Sequence, residues 1–497
     1  MYYFNKKFSF TFFAILFSFL VHAQNSSKQT VEKNEALYRP YIHFTPKKGW
    51  MNDPNGMFLK DGIYHLYYQH YPDETVWGPM HWGHATSRDL IHWEHRPIAI
   101  YPDSLGLIFS GSAVMDEKNS SGLGVNGKGP IVAIFTQHNM EGEKNGTIDF
   151  QNQSIAFSND NGETWKMYNG NPVIKNPGIK DFRDPKVMWH EGTKKWIMTL
   201  AVKNKVSFYS SSNLKDWNKE SDFGVELGSH DGVWECPDLF SLKYNNSIYW
   251  VLTSSINPGG PNKGSATQYF IGNFDGHFFK PNSSKTKWVD YGADNYAGVT
   301  WFGTGERKIS MGWMSNWIYA QQVPTQNWRS ATTIARDLSL GTINNEFYLK
   351  SMPVKELAFE NAQKIKDGKV NAQSPYKLNI TNLDLKEFSV TLSNDLGESI
   401  CFGYDQKQGK YYIDRTNAGE HNFNSEFAAK HIAPRISESK QINLEVIIDK
   451  TSIELFADNG FTVMTDIFFP NKTLNTIKIK GLKMGKENLL LSKIKSK

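Results

Sequence analysis

The sequence predicts an all-β protein, a five-bladed β-propeller followed by a C-terminal β-sandwich. Three observations carry this prediction. Between residues 41 and about 349, short apolar runs of strand length alternate with polar turns, and long amphipathic helices are absent. A degenerate unit recurs through the same region, each time a polar turn that follows a strand and ends on an aromatic. Its copies are residues 87–93, 158–165, 212–217 and, more weakly, 272–278. Their spacing of about 50–70 residues is that of four-stranded propeller blades. Four copies plus unmatched sequence at the start give five blades, with an array of β-sandwiches as the alternative that strand spacing alone leaves open. From Tyr376 onward, runs such as 386–392 and 442–449 alternate apolar and polar residues as half-buried strands do, which gives the sandwich.

The elements follow in order. Residues 1–23 read as a secretory signal peptide: Lys6 and Lys7, an apolar run over 8–21, and Val21-His22-Ala23 as a cleavage site before Gln24. The run is shorter than the ~20 residues of a membrane span. Residues 24–40 are polar and read as a flexible lead. Residues 41–350 form the propeller. Residues 351–370 form a connector, with the chain's most helix-like spacing over 354–366. Residues 371–497 form the sandwich, with Asp458-Asn459-Gly460 as one of its turns. Near the start, Trp50-Met51-Asn52-Asp53-Pro54-Asn55-Gly56 packs an acid between two amides in a tight turn. Pro54 pushes Asp53 toward an extended conformation. The following residues read as a hairpin turning at Asp61-Gly62.

Composition narrows the function. A net charge of +5 over 497 residues, with scattered Lys and Arg, points away from nucleic acid and from an anionic membrane surface. A neutral substrate fits best. The 15 Trp, 22 Tyr and 32 Phe suit platforms for sugar rings, although most serve as core and cross-strand pairs in a large β protein. Cys236 and Cys401 are too few for a disulfide framework and are expected to be free. His81, His84, His92 and His95 lie near one another but lack the spacing of a zinc site, so hairpin packing or polar contact is expected of them. The address is exported, periplasmic or secreted.

Three acidic motifs stand out, each in a different blade. They are Asp53, then Arg183-Asp184-Pro185, then Trp234-Glu235-Cys236-Pro237-Asp238. The inner strands of a propeller converge on one axial pocket, so these acids can meet. Arg183 is expected to favour ionised Asp184 or to serve a substrate hydroxyl. Glu235, flanked by Trp234 and Cys236, has the partly desolvated setting that suits a general acid. Asp53, among amide donors, is expected to stay ionised and nucleophilic. Cys236 is expected either to touch Glu235 through its sulfur or to act as a small apolar residue. Each acid alone reads more readily as a turn residue or a structural ion pair. Together they form the two-carboxylate set that glycosidic cleavage requires.

With these motifs in this order, residues 40–490 resemble glycoside hydrolase family 32, the β-fructosidases that include invertases, inulinases and levanases. Residues 50–56 match its nucleophile motif, 183–185 its transition-state motif and 235–237 its acid/base motif. Residues 109–112, 311–317 and 328–331 also match, as do 412–415 and 453–456 in the second domain. The resemblance implies a retaining mechanism, with Asp53 as nucleophile, Glu235 as acid/base and Asp184 as transition-state stabiliser. It implies a fructose pocket lined by Trp50, Asn52, Gln69, Trp77, Phe109, Ser110, Arg183 and Trp313, and no metal or organic cofactor. The expected partner is a levan or inulin chain or sucrose, cleaved from its end. Endo-action and fructosyl transfer are alternatives on the same site, and a noncatalytic fructan-binding protein is the remote one. The departure at His70-Tyr71-Pro72 bears on subsite preference rather than on chemistry.

Overall fold

The computed structural model describes residues 35, 37–365, 368–369, 375–482 and 488–495. The expected signal peptide, and all of the expected lead before residue 37 except Glu35, lie outside the described residues. The described part is built from antiparallel sheets, with the single named helix Met140–Lys144 in the loop that joins Ile131–His138 to Gln151–Ser158.

Five sheets of mostly consecutive strands come first, and each is one blade. Their inner strands are Gly49–Lys60, Leu107–Met115, Phe182–His190, Val233–Tyr244 and Tyr296–Thr300. The first blade contains the predicted hairpin: Ile63–Tyr71 pairs back on Gly49–Lys60 across Asp61 and Gly62, both at positive φ. Two six-stranded sheets follow and enclose a separate apolar core that includes Leu378, Val390, Phe402, Ile413, Val446 and Leu455. These are the two layers of the sandwich.

The recurring unit has a fixed structural place. Ser87, Ser158 and Ser211 end the third strand of blades 1, 2 and 3, and the aromatic Trp93, Trp165 or Trp217 stands at the start of the fourth. In each turn the Ser hydroxyl is bonded to the polar residue two positions on: Asp89, Asp160 or Asn213. The first copy therefore belongs to the first blade. The blade without a copy is the last, where Asn344 and Asn345 make a tight turn at positive φ, and not the one at the start as the repeat pattern suggested.

Two further expectations are corrected. The helix-like segment 354–366 is not a helix: Phe359–Lys364 is a strand paired with Asn488–Ile494 at the edge of one sandwich sheet. The spacing that reads as helical comes from one turn, Leu357 N to Val354 O at 3.1 Å, which buries both side chains on one side. At the lead, residues 37–40 are packed rather than loose. Tyr38 is buried, and Arg39 bonds Thr45 Oγ1 at 2.6 Å and lies 4.6 Å over the Trp328 ring.

The sandwich is joined to the propeller by buried ion pairs. Glu454 pairs with Arg336 and with His43, and Arg415 Nη1 pairs with Asp294 Oδ2 at 2.6 Å. His43 also reaches Asp449 at 2.8 Å. The apolar cluster around Trp50, Tyr296 and Trp313 continues through Ile447, Phe456 and Val463 of the sandwich. The second domain thus supports the wall behind the acids.

Candidate active site

All five inner strands carry one extra residue, a β-bulge, at the same level. In the first blade it lies between Met51 and Pro54, in the second between Ile108 and Gly111, in the fourth between Glu235 and Asp238, and in the fifth between Tyr296 and Val299. In the third it lies between Arg183 and Lys186, a three-residue step that faces only the two-residue step from Thr199 to Ala201. A bulge bends the strand and re-aims the side chain it carries. Three of these positions hold non-glycine residues in the left-handed region: Asp184 at φ 65°, Cys236 at 44° and Ala297 at 53°. Backbone of this kind costs on the order of 1–3 kcal/mol each and is held in place by its surroundings. Asp184 precedes Pro185 yet is not extended, so its proline did not dictate its conformation.

The bulges form two rings around the axis. The deeper one is Asp53, Ser110, Asp184 and Cys236, which are joined by hydrogen bonds. Ser110 Oγ donates to Asp53 Oδ2 at 2.7 Å, and Asn52 Nδ2 donates to Asp53 Oδ1 at 3.1 Å. Trp50 Nε1 in turn donates to Asn52 Oδ1 at 2.8 Å. Cys236 N donates to Asp184 Oδ2 at 3.1 Å, and the Cys236 thiol lies 3.3 Å from Asp53 Oδ2 and 3.7 Å from Asp184 Oδ2. Cys236 is therefore the bridge between the two aspartates, and the expected sulfur contact with Glu235 is not made.

The outer ring contains Arg183, Glu235 and Tyr296. Arg183 Nε and Nη2 both donate to Glu235 Oε1, at 3.1 and 3.0 Å, and Tyr296 Oη donates to Glu235 Oε2. Arg183 is anchored by Asp181 Oδ1 at 2.7 Å, and its closest approach to Asp184 is 3.9 Å. Arg183 still favours ionised Asp184 from 3.9 Å, as expected from sequence, but its hydrogen bonds go to Asp181 and, between blades, to Glu235. Tyr296 was missed. The signal for it is the internal correspondence of Arg183-Asp184-Pro185, Glu235-Cys236-Pro237 and Tyr296-Ala297-Gly298, which shows only once the bulges are aligned.

Burial sets the electrostatics. It pushes the Asp53 carboxyl above its ordinary value, opposed by the hydroxyl of Ser110, while the charge of Glu235 adds to the rise and the amide of Asn52 and the thiol of Cys236 oppose it. It pushes Asp184 up to about 7, with Arg183 opposing and Glu235 and Asp53 adding to the rise. Asp53 was expected to stay readily ionised among its donors. Its near-complete removal from water outweighs them. Burial, the nearby Asp184 and Asp53 charges, and Glu235 all push the Cys236 thiol well up, so it is a donor here and not a thiolate.

The remaining predicted residues surround these rings. Gln69 Nε2 donates to Ile108 O at 3.0 Å and ties blade 1 to blade 2. Trp77 and Phe109 are half-buried and meet edge to face at 6.0 Å, and Phe109 stacks on His138 at 4.2 Å. Trp50 and Trp313 have no exposed surface; they pack 5.9 Å apart behind the ring and so back the pocket rather than wall it. Among the clustered histidines, His84 stacks on Tyr67 at 4.2 Å and lies 3.1 Å from His65, and His92 pairs with Asp89. Cys236 and Cys401 are free. Deeper along the axis, Thr300 N and Oγ1 donate to Asp238 Oδ2 at 2.6 and 2.7 Å, and Lys186 Nζ lies 3.5 Å from the same oxygen.

Comparison with known proteins agrees with this architecture. Residues 43–352 match the glycosyl hydrolases family 32 N-terminal domain, and residues 350–495 match the glycosyl hydrolases family 32 C-terminal domain. The chain is 44% identical over 467 residues to a levanase of Bacillus subtilis, covering 89% of this chain and 68% of the relative. It superposes on the crystal structure of an exo-inulinase from Aspergillus awamori with a TM-score of 0.83 at 34% identity, over 92% of this chain and 98% of that one. A β-fructofuranosidase from Schwanniomyces occidentalis complexed with fructosyl-erythritol gives 0.81 at 35% identity, over 93% and 98%. Two domain matches that together span nearly the whole described chain, with relatives this similar over most of their length, establish that the chain belongs to glycosyl hydrolase family 32 and is a glycosidase.

Proposed function

We propose that this protein is an exported, retaining β-fructosidase that removes terminal fructose from levan or inulin chains and from sucrose. The observation that carries the reading is the joining of three acids from three blades through Cys236 and Arg183. In the first step Asp53 attacks the anomeric C2 of a terminal fructosyl unit. The bond from C2 to the leaving oxygen breaks, and Glu235 gives that oxygen its proton. In the second step Glu235 takes a proton from water, the water oxygen bonds to C2, and Asp53 leaves as a carboxylate. Asp184 does not attack. It faces the same space and binds fructose hydroxyls, where it opposes the positive charge that develops at the ring. Arg183 and Tyr296 hold both oxygens of Glu235 and so orient its proton.

Chain-end cleavage is favoured by the Lys186-Asp238-Thr300 group across the axis beneath the acids. Trp77 N, 3.3 Å from Gln321 Oε1, links the rims of blades 1 and 5. Export follows the reading of residues 1–23, and no helix among the described residues is long and apolar enough to cross a membrane. The test is a time course on levan, inulin and sucrose with products sized at low conversion, for the wild type and Asp53→Ala. Fructose as the sole early product from levan and inulin, and fructose with an equal amount of glucose from sucrose, both lost in Asp53→Ala with folding unchanged, is the expected result. A ladder of oligomers contradicts end-cleavage, and full activity of Asp53→Ala contradicts the nucleophile.

A further inference from the structure

The rim around the acids is uneven. At the active end, each blade's second and third strands are joined by a loop. These loops comprise residues 72–80, 139–150, 258–265 and 315–335 in blades 1, 2, 4 and 5, the last containing the short strands Trp328–Arg329 and Ala331–Thr332. In blade 3 the loop is only Lys203 and Asn204. That turn is fixed beside the acids: Lys203 N donates to Asp181 O at 2.9 Å, and Trp234 N, next to Glu235, donates to Lys203 O at 2.7 Å.

The connector from blade 3 to blade 4, residues 224–232, is pressed flat as well. Gly224 at φ 101° and Gly228 at φ 98° lie so close to the Trp234 indole that a Cβ on either would come within 2.5 or 2.6 Å of it. Only glycine allows that approach. Ser229 O accepts from Trp234 Nε1 at 2.7 Å, and His230 stacks on the same ring at 5.7 Å. Asn204 Nδ2 meets His230 Nδ1 at 3.0 Å, and both side chains are exposed. The result is a flat, polar surface at the low point of the rim, on the Arg183 side of Glu235.

A general acid must touch the oxygen that leaves, so the departing sugar lies on the side of Glu235. Blades 1, 2 and 5 close the other sides with long loops and with Trp77 and Phe109. We propose that the departing saccharide crosses the rim at the seam of blades 3 and 4, and that Asn204 and His230 bind its hydroxyls there. This rests on the proposed β-fructosidase activity and names the residues that select chain substrates over short ones.

The experiment compares kcat/KM for methyl β-D-fructofuranoside, which has no second sugar, with that for inulin-type oligomers of known length. The wild type, the Asn204→Ala/His230→Ala double variant and Gln321→Ala on the opposite rim are measured. The oligomer-to-methyl ratio falls about 10-fold in the double variant, equal to about 1.4 kcal/mol, mainly through KM, and stays within about two-fold in Gln321→Ala. An unchanged ratio in the double variant, or a larger fall in Gln321→Ala, overturns the proposal and leaves the activity standing. Wild-type protein that releases fructose from neither substrate overturns the activity itself.

Discussion

Arg183 Nη2 lies 3.0 Å from Glu235 Oε1, closer than Arg183 comes to its own neighbour Asp184. The pair crosses from blade 3 to blade 4, and the arginine is itself held by Asp181. Arg183→Lys keeps the charge but loses the two nitrogens that converge on one oxygen. Its kcat is expected to fall about 10²-fold, in the range of lost preorganised contacts, with thermal stability little changed. Steady-state kinetics on sucrose check this, and a loss confined to KM contradicts an orienting role.

Tyr296 holds the other oxygen of Glu235 from blade 5. Tyr296→Phe removes one donor and no packing. We expect about a 10-fold loss of kcat, the scale of one hydrogen bond to a charged group. Retention of full activity means that Arg183 alone orients the acid.

Glu235→Gln cannot give up a proton. Turnover of sucrose and fructans is expected to fall by about 10²–10⁴, the usual contribution of general acid catalysis. An activated aryl fructoside, whose leaving group needs little protonation, is expected to lose far less in the fructosyl-transfer step, measured as burst rate. Equal losses on both substrates contradict the assignment.

Ser110 Oγ donates to Asp53 Oδ2 and opposes the rise that burial causes in that carboxyl. Asp53 must be ionised to attack, so activity falls on the acid side as pH drops through its pKa, above the ordinary carboxylate range. Ser110→Ala removes a donor to the ionised form. The acid limb of the kcat/KM profile therefore moves to higher pH, and movement to lower pH contradicts this account.

His43 joins the propeller to Asp449 and Glu454 of the sandwich, and these two carboxylates raise its pKa from 6.5 to about 9, although burial is the larger single influence and opposes them. A pKa raised in the folded state gives stability that is fully present below pH 6.5 and is lost as pH rises through about 9. The shift corresponds to roughly 3 kcal/mol. Asp449 and Glu454 are lowered in turn, and their share is lost at acid pH as they protonate. Thermal melts from pH 6 to 10 are expected to show a falling Tm in the wild type. In His43→Gln the starting Tm is lower and the slope is smaller.

The sequence by itself determined the local elements and the chemistry-bearing residues. The turn units, the first hairpin and the alternating strands depend on neighbours in the chain, and so Asp53, Asp184 and Glu235 could be named from motifs. The blade count was also legible, although the unmatched blade was placed at the wrong end. A helix was expected where one turn and an edge strand lie, because i, i+3 spacing also fits a single turn that buries two side chains.

Only the tertiary structure decided who partners whom. Arg183 pairs with Glu235 because bulges in adjacent blades bring them to one level. Cys236 bridges two aspartates that lie 183 and 52 residues away in the chain. Tyr296 enters the site because its blade repeats the bulge of the others. Asp53 and Asp184 hold protons more readily than their donors suggest, since the whole ring removes them from water. Burial and inter-blade contact are properties of closing five sheets around an axis, and no local segment of sequence contains them.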